Sequence, residues 1–116
     1  MNTSYVQGQT TGYGELKVNL LTGSGPSSYS QTTGDPIANP AAGDYIEFPM
    51  TCTTKSGTYT LLGVPTTTGS LRAGAPSPSA SGWRWVWYTT SGMTQVAAAT
   101  NLSAETVQFG AIISQL

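Results

Sequence analysis

Apolar and polar side chains alternate with a period of two in several stretches of this 116-residue chain, the pattern of a strand with one buried face. Glu15-Leu16-Lys17-Val18-Asn19-Leu20-Leu21 alternates strictly and places Leu16, Val18 and Leu20 on one face, the expected core face. In Tyr45-Ile46-Glu47-Phe48-Pro49-Met50 the residues Ile46, Phe48 and Met50 share a face, and Pro49, with no amide hydrogen to give a ladder, marks an edge strand or a bulge. A turn at Lys55-Ser56-Gly57 leads into Thr58–Val64, rich in β-branched and aromatic residues and closed by Pro65. These two strands are expected to pair as a hairpin.

The densest patterning follows, in Trp83–Tyr88, a turn at Thr90-Ser91-Gly92, Met93–Val96, and Thr106–Ile113. Asn101–Glu105 opens at most one helical turn before alternation resumes. Short strands separated by turn residues, with no amphipathic helix to cover a parallel sheet, predict an all-β fold, an antiparallel β-sandwich or barrel.

Three segments lack either period. Met1–Gly14 predicts no packed element, which divides the chain into an extended N-terminal arm over residues 1–14 and a single β domain over 15–116. Thr22–Gly43 is far longer than the usual connection of about 4 to 6 residues. Its Gly34-Asp35-Pro36 and Asn39-Pro40 turns, with Ile37 between them, predict an ordered loop that lies along a partner. Thr66–Ser81 is a second loop, too small and polar to bury anything.

Composition narrows the function classes. Charged residues make up 8% of the chain, against roughly 25% in an average soluble domain, and small neutral side chains take their place. Such a surface lets neighbouring subunits approach closely. A formal net charge of −1 gives no field to neutralise a row of phosphates or to hold an anionic membrane, so neither nucleic acid nor membrane is an expected partner. No apolar run nears the roughly 20 residues of a spanning helix, and the first residues lack the regions of a signal peptide. Synthesis and retention in a cytoplasm are expected. Cys52 is the only cysteine and the chain has no histidine, so a nucleophilic thiol would lack its usual base.

Trp83, Trp85 and Trp87 lie on one side of a single strand, about 6.6 to 6.8 Å apart. They form either the core or a subunit contact, the favoured reading, or a platform for sugar rings. Arg84 faces the other way, as a solvated charge or an interface anchor. Asp35, Asp44 and Glu47 lack the companions of a glycosidase pair or a Ca²⁺ loop and are read as structural. No glycine run has the strand, loop and helix setting of a phosphate cradle. No catalytic residue, metal or cofactor is expected, and the chain is read as a structural protein, not an enzyme.

Two stretches carry a resemblance: Tyr29-Ser30 followed by Gly34-Asp35-Pro36-Ile37, and Trp87-Tyr88-Thr89-Thr90-Ser91-Gly92 with Val96-Ala97-Ala98-Ala99-Thr100-Asn101-Leu102-Ser103 before a last apolar strand. They are similar to small virion proteins of tailed bacteriophages, where a GDPI-like loop precedes the central strands and a VAAGTDLS-like run precedes the final one. Here Ala99 stands where that pattern has Gly, and Asn101 where it has Asp. The match covers about half the chain. It implies a head protein without enzymatic activity, a decoration or cement protein on the outer capsid surface, with the major capsid protein and copies of itself as partners. The expected contacts are Tyr5, Tyr13, Tyr29, Asp35, Pro36 and Ile37, all from the segments without a strand pattern. The alternatives are a tail or fibre module binding glycans through the Trp row, and a tail-tube or connector subunit.

Overall fold

In the computed structural model, which describes residues 1–7, 16–66 and 80–115, every regular element is a strand. They are β1 (Thr3–Tyr5), β2 (Leu16–Ser24), β3 (Asp35–Pro36), β4 (Asp44–Pro49), β5 (Cys52–Thr53), β6 (Tyr59–Pro65), β7 (Trp83–Thr89) and β8 (Thr106–Gln115). Two four-stranded antiparallel sheets result, ordered β1-β2-β8-β4 and β3-β7-β6-β5. They face each other as a sandwich, and the chain changes sheets after β2, β3, β4 and β7.

The interior follows the alternation of β8 and β7. Val107, Phe109, Ala111 and Ile113 of β8, with Leu21 and Ile46 beside them, meet Trp83, Trp85, Trp87 and Leu61 of the second sheet. Trp85 and Phe109 pack edge to face, with ring centroids 4.9 Å apart and planes at 88°, the geometry favoured by the quadrupoles of aromatic rings. Each such side chain contributes about 1.5–3 kcal/mol by leaving water. Tyr29, Ile37, Val96 and Leu102, from the connections, complete the core.

On β2 the expected face is inverted. Leu16, Val18 and Leu20 are exposed, whereas Asn19 and Leu21 are buried. The Leu20-Leu21 doublet offers an apolar residue to either face, and the partner strand decides between them. Leu21 stands opposite Phe109 and Asn19 opposite Ala111, both on the inner face of β8. A shift of one residue would have turned the whole strand over.

Pro49 does lie at the end of an edge strand, and the register of β4 against β8 shifts between Ile46 and Phe48. Glu47 is the extra residue of that bulge, so Ile46 is buried in the core while Phe48 stays half exposed, and the two do not share a face. The expected hairpin does not form. β4 pairs with β8 in the first sheet, and the turn at Lys55-Ser56-Gly57 joins β6 to β5. The chain crosses between sheets at Met50-Thr51, at the end of the stretch expected to form one arm of the hairpin.

Both flanks of the sandwich are stitched. On one, Met50 and Lys55 donate their N–H groups to the carbonyls of Gly110 and Thr106 (2.9 and 2.8 Å), so the β4–β5 connection stays beside β8 while changing sheets. On the other, Ala38 donates to the Met1 carbonyl at 3.0 Å and the Thr3 hydroxyl to the Ala38 carbonyl at 2.7 Å. Residues 1–5 are thus a packed edge of the sheet, not the free arm expected; the rest of that arm, residues 8–14, lies outside the described residues. Stitching occupies backbone groups that an open edge would offer to another chain.

Candidate interaction surface

The ordered Thr22–Gly43 loop turns inward. β2 runs on to Ser24, and the chain then passes Tyr29 into the core before reaching β3. The Tyr29 hydroxyl accepts the Trp87 N–H at 3.1 Å, replacing a ladder partner where β3 has ended. Gly34 has φ +66°, and a Cβ on it would lie 2.7 Å from the Trp85 carbonyl oxygen, so both its conformation and its fit require glycine. This brings Asp35 opposite Trp85, inside the sandwich.

Asp35 is 2% exposed and holds a polar node. Its Oδ1 accepts the α-ammonium of Met1 at 2.7 Å, and its Oδ2 accepts the Trp87 indole N–H at 3.1 Å. Burial raises its pKa above the usual carboxylate value, opposed by the hydrogen bond and charge of the ammonium and by the bond from Trp87. Asp44, also buried, accepts from Tyr5 Oη at 2.7 Å and Gln115 Nε2 at 2.6 Å. Burial and the neighbouring Asp44 carboxylate together raise the Tyr5 phenol above its usual value. Glu47 accepts from the Ser114 hydroxyl. The three carboxylates therefore stand apart, each tied to its own partners.

The residues expected to touch a partner have mostly been drawn into the molecule. Tyr29, Asp35 and Ile37 are buried, which corrects their assignment as contact residues: their loop plugs the core instead of lying on a neighbour. Tyr5 is partly buried against Asp44, Pro36 is exposed, and Tyr13 lies outside the described residues. Trp83, Trp85 and Trp87 all point into the core, so no indole face is open to a sugar ring. Arg84 folds onto the loop, donating from Nη1 to the Thr32 carbonyl at 3.2 Å.

Little points to chemistry among the described residues. No group of three or more metal-ligating side chains occurs, and no helix is long and apolar enough to cross a membrane. Burial pushes the Cys52 thiol up to about 11, leaving it protonated and a poor nucleophile near neutral pH. An open groove of about 560 Å³ is lined by Met1, Asn2, Ser4 and residues 22–26, all small or polar apart from Met1 and Pro26.

What the fold does expose is the outer face of the first sheet. Leu16, Val18 and Leu20 of β2 are 66%, 60% and 46% exposed. Val18 and Ile112 stand opposite each other on this face. Met50 lies across Gly110, where a Cβ would come 2.9 Å from its Sδ and 3.7 Å from Val18 Cγ1. Val6, just past β1, bonds to the Leu20 carbonyl and borders the patch. Among the described residues, every exposed large apolar side chain except Phe48, Leu62 and Met93 belongs to this face, and the half-exposed Phe48 ring packs edge to face on Trp83 with centroids 5.4 Å apart. The pattern in the sequence located these residues but assigned them to the core. Comparison with protein-family models, with curated proteins and with solved structures found no match.

Proposed function

We propose that the chain is a bacteriophage virion structural protein, a capsid decoration subunit that sits on the outer surface of the major capsid protein lattice and stabilises the head. The observation that carries this reading is the apolar face of the first sheet. A protein that works alone in water places charge on such a face, whereas an assembly subunit leaves it apolar for a neighbour to cover. The near absence of charge elsewhere and the similarity of the Gly34–Ile37 and Val96–Ser103 runs to phage head proteins support the same reading.

Such a subunit stabilises a shell by mass action, since it binds the assembled lattice and not its dissociated parts. Repeated copies multiply a modest contact into a strong one. Electron microscopy of phage heads lacking the protein, with and without the purified chain, tests this: added density on the outer surface and a higher temperature of head disruption are expected. Bare shells, or tubes formed by the protein alone, overturn it. The glycan-binding alternative has no exposed indole row, and a glycan array is expected to show no binding.

A further inference from the structure

We infer that the apolar outer face of the first sheet is covered by a second copy of the same face, packed sheet on sheet about a two-fold axis. This rests on reading the chain as an assembly subunit and adds which partner covers which surface.

Charge argues for a copy. A face that carries charge repels its own image and calls for a partner of opposite sign. Leu16, Val18, Leu20, Ile112 and Met50 carry none, and Lys17, between the first two, lies on the opposite face of β2, across from the buried Ile113. The charge of this face is the Glu47 carboxylate, bonded to Ser114 and set on the edge strand β4. A two-fold contact centred on β2 sets the apolar stripe against itself and carries the two Glu47 carboxylates to opposite margins.

Area agrees. At about 150–200 Å² for a fully exposed large side chain, the exposed fractions of Val6, Leu16, Val18, Leu20 and Met50 amount to roughly 400 Å² of apolar surface, within the range of the biggest patch on a typical monomer. With a polar rim from Thr22, Gln108 and Tyr45 it approaches the ~800 Å² per partner of a standard interface.

Sedimentation of the purified full chain over a micromolar concentration series is the test, and a dimer is expected. Val18→Lys places a charge at the centre of both halves of the contact at once, so dissociation should rise by at least about 100-fold. Val18 is solvent-exposed in the monomer, so its melting curve at low concentration should stay close to that of the parent. Leu62→Lys, on the other sheet, should leave the dimer intact. A chain that is monomeric throughout, or an oligomer that persists in Val18→Lys, overturns the inference. Because no capsid is present, a dimer that fails to decorate heads would sink the proposed function alone, and a decorating monomer would sink this inference alone.

Discussion

Two residues set energetic conditions that the rest of the fold must satisfy. Asp35 is buried against the Met1 ammonium and the Trp87 indole. Removing one partner of such a pair strands the other, and Asp35→Ala should cost about 3–5 kcal/mol in chemical denaturation. Its raised pKa also fixes a sign. In the unfolded chain the carboxyl ionises near the ordinary value of about 3.9, while in the folded protein it keeps its proton to higher pH. The native state therefore binds the extra proton in that window, and stability falls as pH rises from the ordinary value through the raised one. Melting temperatures measured from acid to neutral pH should show this slope in the parent and lose it in Asp35→Asn. Ala99 has φ +67°, a left-handed conformation that costs an L-residue roughly 1–2 kcal/mol. Ala99→Gly should relieve it and, after the added flexibility of the unfolded chain, stabilise by about 0.5–1 kcal/mol, read as a higher denaturation midpoint.

Among the elements, β2 and β4 show how far alternation can be trusted. Strands over Glu15–Leu21 and Trp83–Tyr88 and the all-β class were legible, because period-two patterning and the lack of any amphipathic helix are local properties, whereas the run of β2 on to Ser24 was read as loop. The direction each strand faces is not local. Leu20-Leu21 and Ile112-Ile113 are doublets that fit either face, and only their mutual register, with Phe109 against Leu21, breaks the tie. The loop was misjudged for a related reason: Tyr29 and Ile37 carry no periodicity, yet the sandwich leaves a gap that they fill. The apolar face was therefore visible as residues and invisible as a surface. A matched pair of substitutions checks the register. Leu21→Ala should lose about 2–5 kcal/mol through the cavity it leaves, and Leu20→Ala under about 1 kcal/mol, both from urea titration of the isolated chain at low concentration.

At the scale of the whole molecule, nearly every sheet pairing joins distant parts of the chain. Leu16 pairs with Ser114, Asp35 with Trp85 and Asp44 with Gln115. Loop closure over such distances precedes any reward from contact, so refolding is expected in about milliseconds to seconds, as for other β-sandwiches, with stopped-flow Trp fluorescence as the measurement. The indoles of Trp85 and Trp87 are fully buried and report core formation directly.

The central place of β8 has a consequence for synthesis. β8 pairs with both β2 and β4 and receives backbone bonds from Met50 and Lys55, yet of the eight strands it leaves the ribosome after all the others. Until residues 106–115 emerge, β2 has only the three-residue β1 as a ladder partner, and the leucines on its two faces are open to any neighbouring nascent chain. The low charge that suits the finished surface offers no electrostatic protection at that stage. Copies translated close together on one message would thus meet through β2 before either could fold, and expression yield should depend on how fast the last segment is delivered.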